Sequence, residues 1–283
     1  MSIFLRRISI KGRYPFVRIF QILDNPKCFI SWVLKNIYYK HSKIDYSEKY
    51  AEFHYLDYNE TLAELIDSGM SLARFNDGEF DQLAGFGIYP PDSDWSQKNS
   101  SKLIKAMTSV LTTEDPRLLI AINPPHYFLS DKNSKLDEPF DYNMWVYTKT
   151  FLYKFLNKSK RYGDCRLFVP FCSPNFDWKK LTGHLRGKTV IVATGDANKL
   201  SNITLGQTNF FVECGKVDAF ERLDTIKNDI RNVILSNNLD VSNVIVLASL
   251  GPAAGILAFD FLDENITVWD TGHMFKHAKN YVK

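Results

Sequence analysis

The chain predicts an α/β protein built on a single Rossmann-like, doubly wound, mostly parallel sheet, with a basic helical extension in front of it. Three observations predict it. Short β-rich runs recur along residues 56–283, several are apolar throughout instead of alternating, and helical periodicities lie between them. An uninterrupted apolar run suits a strand covered on both faces, as strands of a parallel sheet are. Strands alternating with helices argue the doubly wound arrangement.

Taken in order, strands are expected at 71–75 (SLARF), 118–122 (LLIAI), 166–169 (RLFV), 189–193 (TVIVA), 209–212 (NFFV), 243–248 (NVIVLA) and 266–269 (ITVW). Helical patterns fall at 60–67, 98–111 and 142–156. Another begins after Asp218, read as its N-cap, with Phe220, Leu223, Ile226, Ile230, Val233 and Ile234 at three- and four-residue steps. Pro252 is placed as the first residue of a further helix, a position that does not need its missing N–H.

Composition is that of an ordinary globular protein, 45% hydrophobic and 24% charged over 283 residues, so disorder is not the default expectation. The net charge of +3 is unevenly spread. Residues 1–43 carry nine Lys/Arg against one acid, Asp24, so the body is net acidic. The division expected is an aromatic-rich basic extension, 1–55, and a catalytic body, 56–283. Nucleic acid is not an expected partner, because the acidic body carries no nucleic-acid motif. The extension interleaves Phe4, Tyr14, Phe16, Phe20, Phe29, Trp32 and Tyr38 with its basic residues. That pattern suits peripheral contact with an anionic membrane through residues 1–43, or packing onto the body.

The four cysteines form no CxxC pair and read as reduced thiols of a cytoplasmic protein. No signal peptide is recognised, and the apolar stretch 28–39 is too short to span a bilayer and holds Lys35.

Ligands of doubly wound sheets bind outside the carboxyl ends of the strands. Four segments fall there. In RFNDGE, residues 74–79, Asp77 and Glu79 follow the first of the expected strands. Two carboxylates so close repel unless a cation or proton lies between them. They suit a hard divalent cation that picks up substrate phosphates, or an acid/base pair. Gly78 would let the backbone turn sharply there. Taken alone, the pair favours the plainer reading of Asp77 as a helix N-cap with Glu79 in the first turn. In SLGPAAG, residues 249–255, Gly251, Pro252, Ala253 and Ala254 keep a helix start small, so a phosphate can approach its N–H groups, or the helix can pack tightly on the sheet. In VATGDANKL, residues 192–200, Thr194, Gly195 and Asp196 are candidates for nucleoside contact and Lys199 for a phosphate, against a plain connection. WDTGH, residues 269–273, sets His273 at the same lip, where imidazole plus carboxylates suits manganese, against the commoner role of a lone histidine as a packing or surface residue.

RFNDGE, the strand–GPAAG–helix turn with Phe259 and Asp260, and the closing WDTGH occur in this order over about residues 58–275. Together they resemble the glycosyltransferases of the GT-D fold. That family carries Arg-Phe-Gly-Asp-Gly-Glu, a Gly-Pro-Thr/Ala-Ala turn and a terminal Asp-Ile-Gly-His. Asn76 stands here where the family has Gly, the segment after Val192 lacks the family's Ser-Arg, and MFKHAKNYVK replaces its acidic, aromatic tail.

The resemblance implies transfer of a sugar from a nucleotide-diphosphate donor, usually a UDP-sugar, with a divalent metal such as Mn or Mg. By the same token Asp77 and Glu79 take the metal and diphosphate role, Arg74 and residues 251–254 line the donor site, and His273 sits beside the metal. The acceptor expected is a growing bacterial surface glycan or glycoprotein glycan, lipid-linked in one version. Asp196 and Asp270 are the candidates for the acceptor's general base. The competing readings are a metal-dependent phosphoester or nucleotide hydrolase using the same carboxylates, and a non-catalytic binding module.

Overall fold

A computed structural model of the protein describes residues 52–85, 87–88, 96–123, 155–170, 172–196 and 204–275, with scattered positions between 22 and 34. Of Asp77 it describes the backbone alone. The rest of the 1–55 extension, the 142–154 part of the expected third helix, and Lys199 lie outside the described residues.

Eight strands form one sheet in the order β1-β4-β3-β2-β8-β7-β5-β6, and every strand pair is parallel. They are β1 (His54–Tyr55), β2 (Ser71–Phe75), β3 (Leu118–Ile122), β4 (Arg161–Asp164), β5 (Thr189–Thr194), β6 (Thr208–Glu213), β7 (Val244–Ser249) and β8 (Thr267–Asp270). β1 belongs to this sheet, so the body takes in residues just upstream of position 56. The central strands are apolar because both faces are covered. All five residues of β3 are buried, as are five of six in β7.

Helices α1 (Tyr58–Ser68) and α4 (Trp178–Arg186) cover one face, with Leu62, Leu65, Leu181 and Leu185 buried against Leu72, Leu119, Val190 and Leu247. On the other face lie α2 (Asp77–Leu83), α3 (Ser101–Thr112), α5 (Leu223–Ser236) and α6 (Pro252–Asp260). Each fully buried Leu or Ile of these layers contributes roughly 1.5–3 kcal/mol relative to exposure. The helices start where the sequence supplies caps. Asp57 accepts from the N–H groups of Asn59 and Glu60 while Glu60 reaches back to the Asp57 N–H, and Ser100 accepts from Leu103 N–H at 3.1 Å.

Two expectations change. The run RLFV is a succession of turns, with Val169 N–H donating to Arg166 O and Arg166 N–H to the Asp164 carboxylate. Leu167 and Phe168 are fully buried, so their apolarity reports burial and not a strand. The strand is the preceding RYGD, whose Gly163 has no room for a Cβ, which would fall 2.8 Å from Thr61 Cγ2. Asp218, in turn, is not the cap of α5. It is left-handed (φ 50°), precedes a 3-10 turn at Ala219–Arg222, and accepts the Lys98 N–H at 2.7 Å, which ties the start of α3 to that turn.

Candidate active site

Strands β2 and β8 are neighbours although almost two hundred residues separate them in the chain. After β2 the chain enters α2, whose Phe80 and Leu83 join one layer; after β8, Met274 and Phe275 join the opposite layer. Divergence of adjacent strands to opposite faces opens a crevice at their carboxyl ends, the place where ligands of open α/β sheets bind. RFNDGE and WDTGH both end at this crevice.

Arg74 and Asp270 join the two motifs. The Arg74 guanidinium donates to Asp270 Oδ1 at 3.3 Å and to the Cys165 carbonyl at 2.6 Å. The Arg74 and Gly272 N–H groups donate to the same carboxylate. Burial works against the charge on Arg74, but Asp270 above all, then Cys165 and Glu79, more than offset it and hold the guanidinium protonated. Burial also pushes the Asp270 carboxyl up, opposed by Arg74 and the two N–H donors. Since an arginine does not surrender its proton in a protein, the pair is ionic. Asp270 is thus committed to holding Arg74 and is not placed to act as a base. Gly272 is required here: its φ is +47°, and a Cβ would lie 1.7 Å from an Arg74 nitrogen. Arg74 Nε is buried with no hydrogen-bond partner, a donor that the protein itself leaves unsatisfied.

At the tip of β2, Asn76, and not Asp77, is the N-cap residue of α2. Glu79 Oε2 accepts the Asn76 N–H at 3.0 Å, and the Asn76 side-chain oxygen accepts from Asn123 Nδ2 at 2.7 Å. Asn123, just beyond β3, is fully buried and its Oδ1 has no partner. Gly78 does not make a sharp turn; it lies in α2, where a Cβ would press to 3.1 Å of Ile88 Cδ1. Asp77 and Glu79 therefore occupy the first turn of a helix at the crevice, and Glu79 already has one structural task. Among the described residues no three His, Cys, Asp or Glu side chains cluster as metal ligands. His273 is exposed in the turn after β8.

In the Gly251 turn the small residues serve packing. Ala253 and Ala254 are fully buried, and a Cβ on Gly255 would meet the Ala73 Cβ at 3.3 Å. Their methyl groups let α6 lie close on β2 and do not line a ligand pocket. What faces outward is Gly251 (φ 57°, ψ −140°), where an added Cβ would meet nothing within 4 Å. At the end of β5, Thr194 is buried, Gly195 approaches the Gly215 carbonyl too closely for a Cβ, and Asp196 pairs with Lys216 Nζ at 3.2 Å. These contacts account for the segment as a strand connection.

Sequence reasoning missed Asp164. It ends β4 level with Ile122 and Phe75 across three strands, is 2% exposed, and accepts the Arg166 N–H at 2.8 Å. Burial pushes its carboxyl up to about 6, with Arg166 and Arg74 pulling the other way. An acid ending the dipeptide Gly-Asp inside an unrecognised strand gave no signal, because both residue types are depleted in strands.

An all-parallel doubly wound sheet with a buried arginine–carboxylate pair and an acidic helix start at the carboxyl ends of its strands is the frame of an α/β enzyme of the nucleotide-binding kind. The particular family is shown directly. The chain belongs to the glycosyltransferases of the GT-D fold, whose family model matches residues 72–283.

Among its relatives are a probable glycosyl transferase, Gly, of Streptococcus gordonii, 24% identical over 77% of this chain and 32% of the relative, and the glycosyltransferase GlyD of Streptococcus pneumoniae, 22% identical over 76% of this chain and 26% of the relative. The chain thus spans about a third or less of the length of the curated relatives it matches. A solved structure of the highly conserved domain of unknown function 1792, described as having a distinct glycosyltransferase fold, superposes with a TM-score of 0.66. It is 22% identical and covers 83% of this chain and 84% of the other.

Proposed function

We propose that this chain transfers a sugar from a nucleoside-diphosphate donor, a UDP-sugar, to a bacterial surface glycan or a glycoprotein glycan. The observation that carries the reading is the meeting of RFNDGE and WDTGH at one crevice, joined by the buried Arg74–Asp270 pair. Arg74 keeps its charge there, so it favours a diphosphate and the negative charge that grows on the departing nucleotide. Gly251, after β7, offers open backbone at the same rim of the sheet.

The residues fit a divalent cation of the magnesium or manganese kind. Such ions bind through one or two carboxylates and complete their shell with substrate phosphates and water, so they need no cage of three protein ligands. Asp77 and Glu79 would hold it, with His273 beside them. When bound, the metal supplies Lewis-acid stabilisation of the leaving diphosphate. The protein's part is to orient the donor and to exclude water from the crevice. Lys199, in the 197–203 segment outside the described residues, is retained as a phosphate contact.

Thermal shift tests the donor site: UDP with Mn²⁺ should raise the melting temperature, by about 2.7 kcal/mol of stabilisation at a hundredfold excess over Kd. Sugar transfer to a glycan acceptor well above donor hydrolysis then distinguishes a transferase from a hydrolase. Hydrolysis alone would overturn the transferase reading.

No helix among the described residues is long and apolar enough to cross a membrane. We place the protein in the cytoplasm, held at the inner membrane face by residues 1–43, where a lipid-linked acceptor would be met. The described positions Leu23, Ile30 and Leu34 are strongly exposed apolar side chains. Each basic residue at an anionic surface adds on the order of 1 kcal/mol. The 283-residue chain should float with phosphatidylserine vesicles at low salt and detach at high salt, whereas a chain starting at Tyr50 should not float. A 283-residue chain that stays in solution removes the membrane contact.

A further inference from the structure

A cleft of about 900 Å³ opens between the N-termini of α1 and α4. Nothing described above uses it. α1 follows β1 directly and α4 leads into β5, so both helix starts lie at the carboxyl rim of the sheet, the side of the crevice. A chain of contacts links the two places. Arg74 donates to the Cys165 carbonyl, the Asp164 N–H donates to Thr61 Oγ1 on α1, and Asn59, two positions earlier on that helix, lines the cleft. β4 stands two strands from β2, roughly 10 Å across the sheet. The donor turn at Gly251 follows β7, on the other side of β2. A nucleotide bound there would lie on the other side of β2 from the cleft.

Hydrogen bonds join the two walls of the cleft, and two of its nine lining residues, Phe176 and Trp178, are aromatic. The Asn59 side chain donates to the Asn175 carbonyl at 3.1 Å and accepts the Asp177 N–H at 2.9 Å, locking the loop before α4 onto α1. Three rings run outward from the core: Phe168 meets Phe176 at 5.8 Å edge-on, and Phe176 meets Trp178 at 4.9 Å edge-on. Phe168 and Phe176 are buried, whereas Trp178 is only half-buried and lines the cleft. The exposed Asn175 and Lys180 flank it. An indole fixed from behind by packed rings, with an amide and an ammonium at its margin, matches a pyranose. The sugar's C–H face is apolar and lies on the ring, while its rim of hydroxyls reaches polar groups.

We propose that this cleft is the acceptor subsite, in which a pyranose of the acceptor glycan stacks on Trp178 and hydrogen-bonds to Asn175 and Lys180. The proposal rests on the transferase reading for its meaning, but its binding chemistry is testable alone. The full chain labelled with 5-fluorotryptophan should give five fluorine signals, one per tryptophan, with that of Trp178 identified by its loss in Trp178→Phe. Cellobiose, lactose and N,N′-diacetylchitobiose are titrated in turn, with and without UDP and Mn²⁺. The expected result is a saturable shift of the Trp178 signal alone with at least one disaccharide. Trp178→Ala should weaken that disaccharide at least tenfold, as followed by its ligand-detected NMR, and leave UDP binding unchanged. Should Trp178→Ala fail to fold, the surface variant Asn175→Ala should weaken it severalfold. UDP–Mn²⁺ binding with a silent Trp178 signal, or a uniform drift of all five signals, overturns the subsite and leaves the donor reading standing. Saturable sugar binding without any UDP binding overturns the donor reading and leaves the subsite.

Discussion

Asp77→Asn and Glu79→Gln should each lower sugar transfer by at least about 100-fold at saturating donor, with the melting temperature nearly unchanged. The loss expected is of the size that follows removal of one group stabilising developing charge at a transition state. Both substitutions keep shape and remove charge. The amide introduced by Glu79→Gln retains a side-chain oxygen able to accept the Asn76 N–H, so the cap on α2 persists. Asp77 is not the cap residue, because Asn76 holds that position, and its replacement leaves the helix start intact. The two roles of Glu79 therefore separate cleanly. Activity measured over a Mn²⁺ titration, beside calorimetry, decides between them. If both variants melt earlier but turn over normally per folded molecule, the carboxylates are structural and the proposed metal site is wrong.

Arg74→Met should destabilise the protein by about 3–5 kcal/mol, because it strands a buried carboxylate without its partner. For a domain of this size that is roughly 10 °C in melting temperature. The effect carries a pH signature. The Asp270 carboxyl is already raised by burial, and loss of Arg74 raises it further. A carboxyl raised in the folded state favours folding most below its unfolded pKa and loses that contribution as pH climbs through the folded value. The gap between variant and parent should be widest near pH 8 and shrink toward pH 5. Adding Asp270→Asn to Arg74→Met should recover much of the loss at pH 8, since the neutral amide removes the stranded charge yet still accepts from Gly272 N–H. A pH-independent gap, or no recovery in the double variant, would show that Arg74 contributes packing and not charge balance.

Much of the fold could be read from local pattern. Buried strands such as LLIAI and VIVLAS announce themselves, since covering both faces demands apolar residues at consecutive positions, and periodic helices such as Leu223–Ser236 do so for one face. RYGD could not be read this way. It is a strand because β3 offers it an edge and Thr61 leaves no room beside Gly163, and neither fact is local. RLFV erred in the opposite direction: apolarity signals burial, and buried turns satisfy it as well as strands do.

The same division holds at the site. RFNDGE, GPAAG and WDTGH, in that order, were enough to indicate the family, because a glycine, an arginine and an acid at set spacings are chemical demands written residue by residue. Their meaning was not. Only the folded chain shows that Ala253 and Ala254 pack against the sheet, that Asn76 caps the helix in place of Asp77, and that Asp270 neutralises Arg74 instead of taking a proton. Only it brings Asp164 to the rim, beside an α1 whose Asn59 borders the Trp178 cleft. The sequence by itself determines which residue types are available and which segments must be buried. Which of those residues meet is decided by strand order, since parallel pairing sets β2 beside β8 and makes neighbours of groups almost two hundred residues apart.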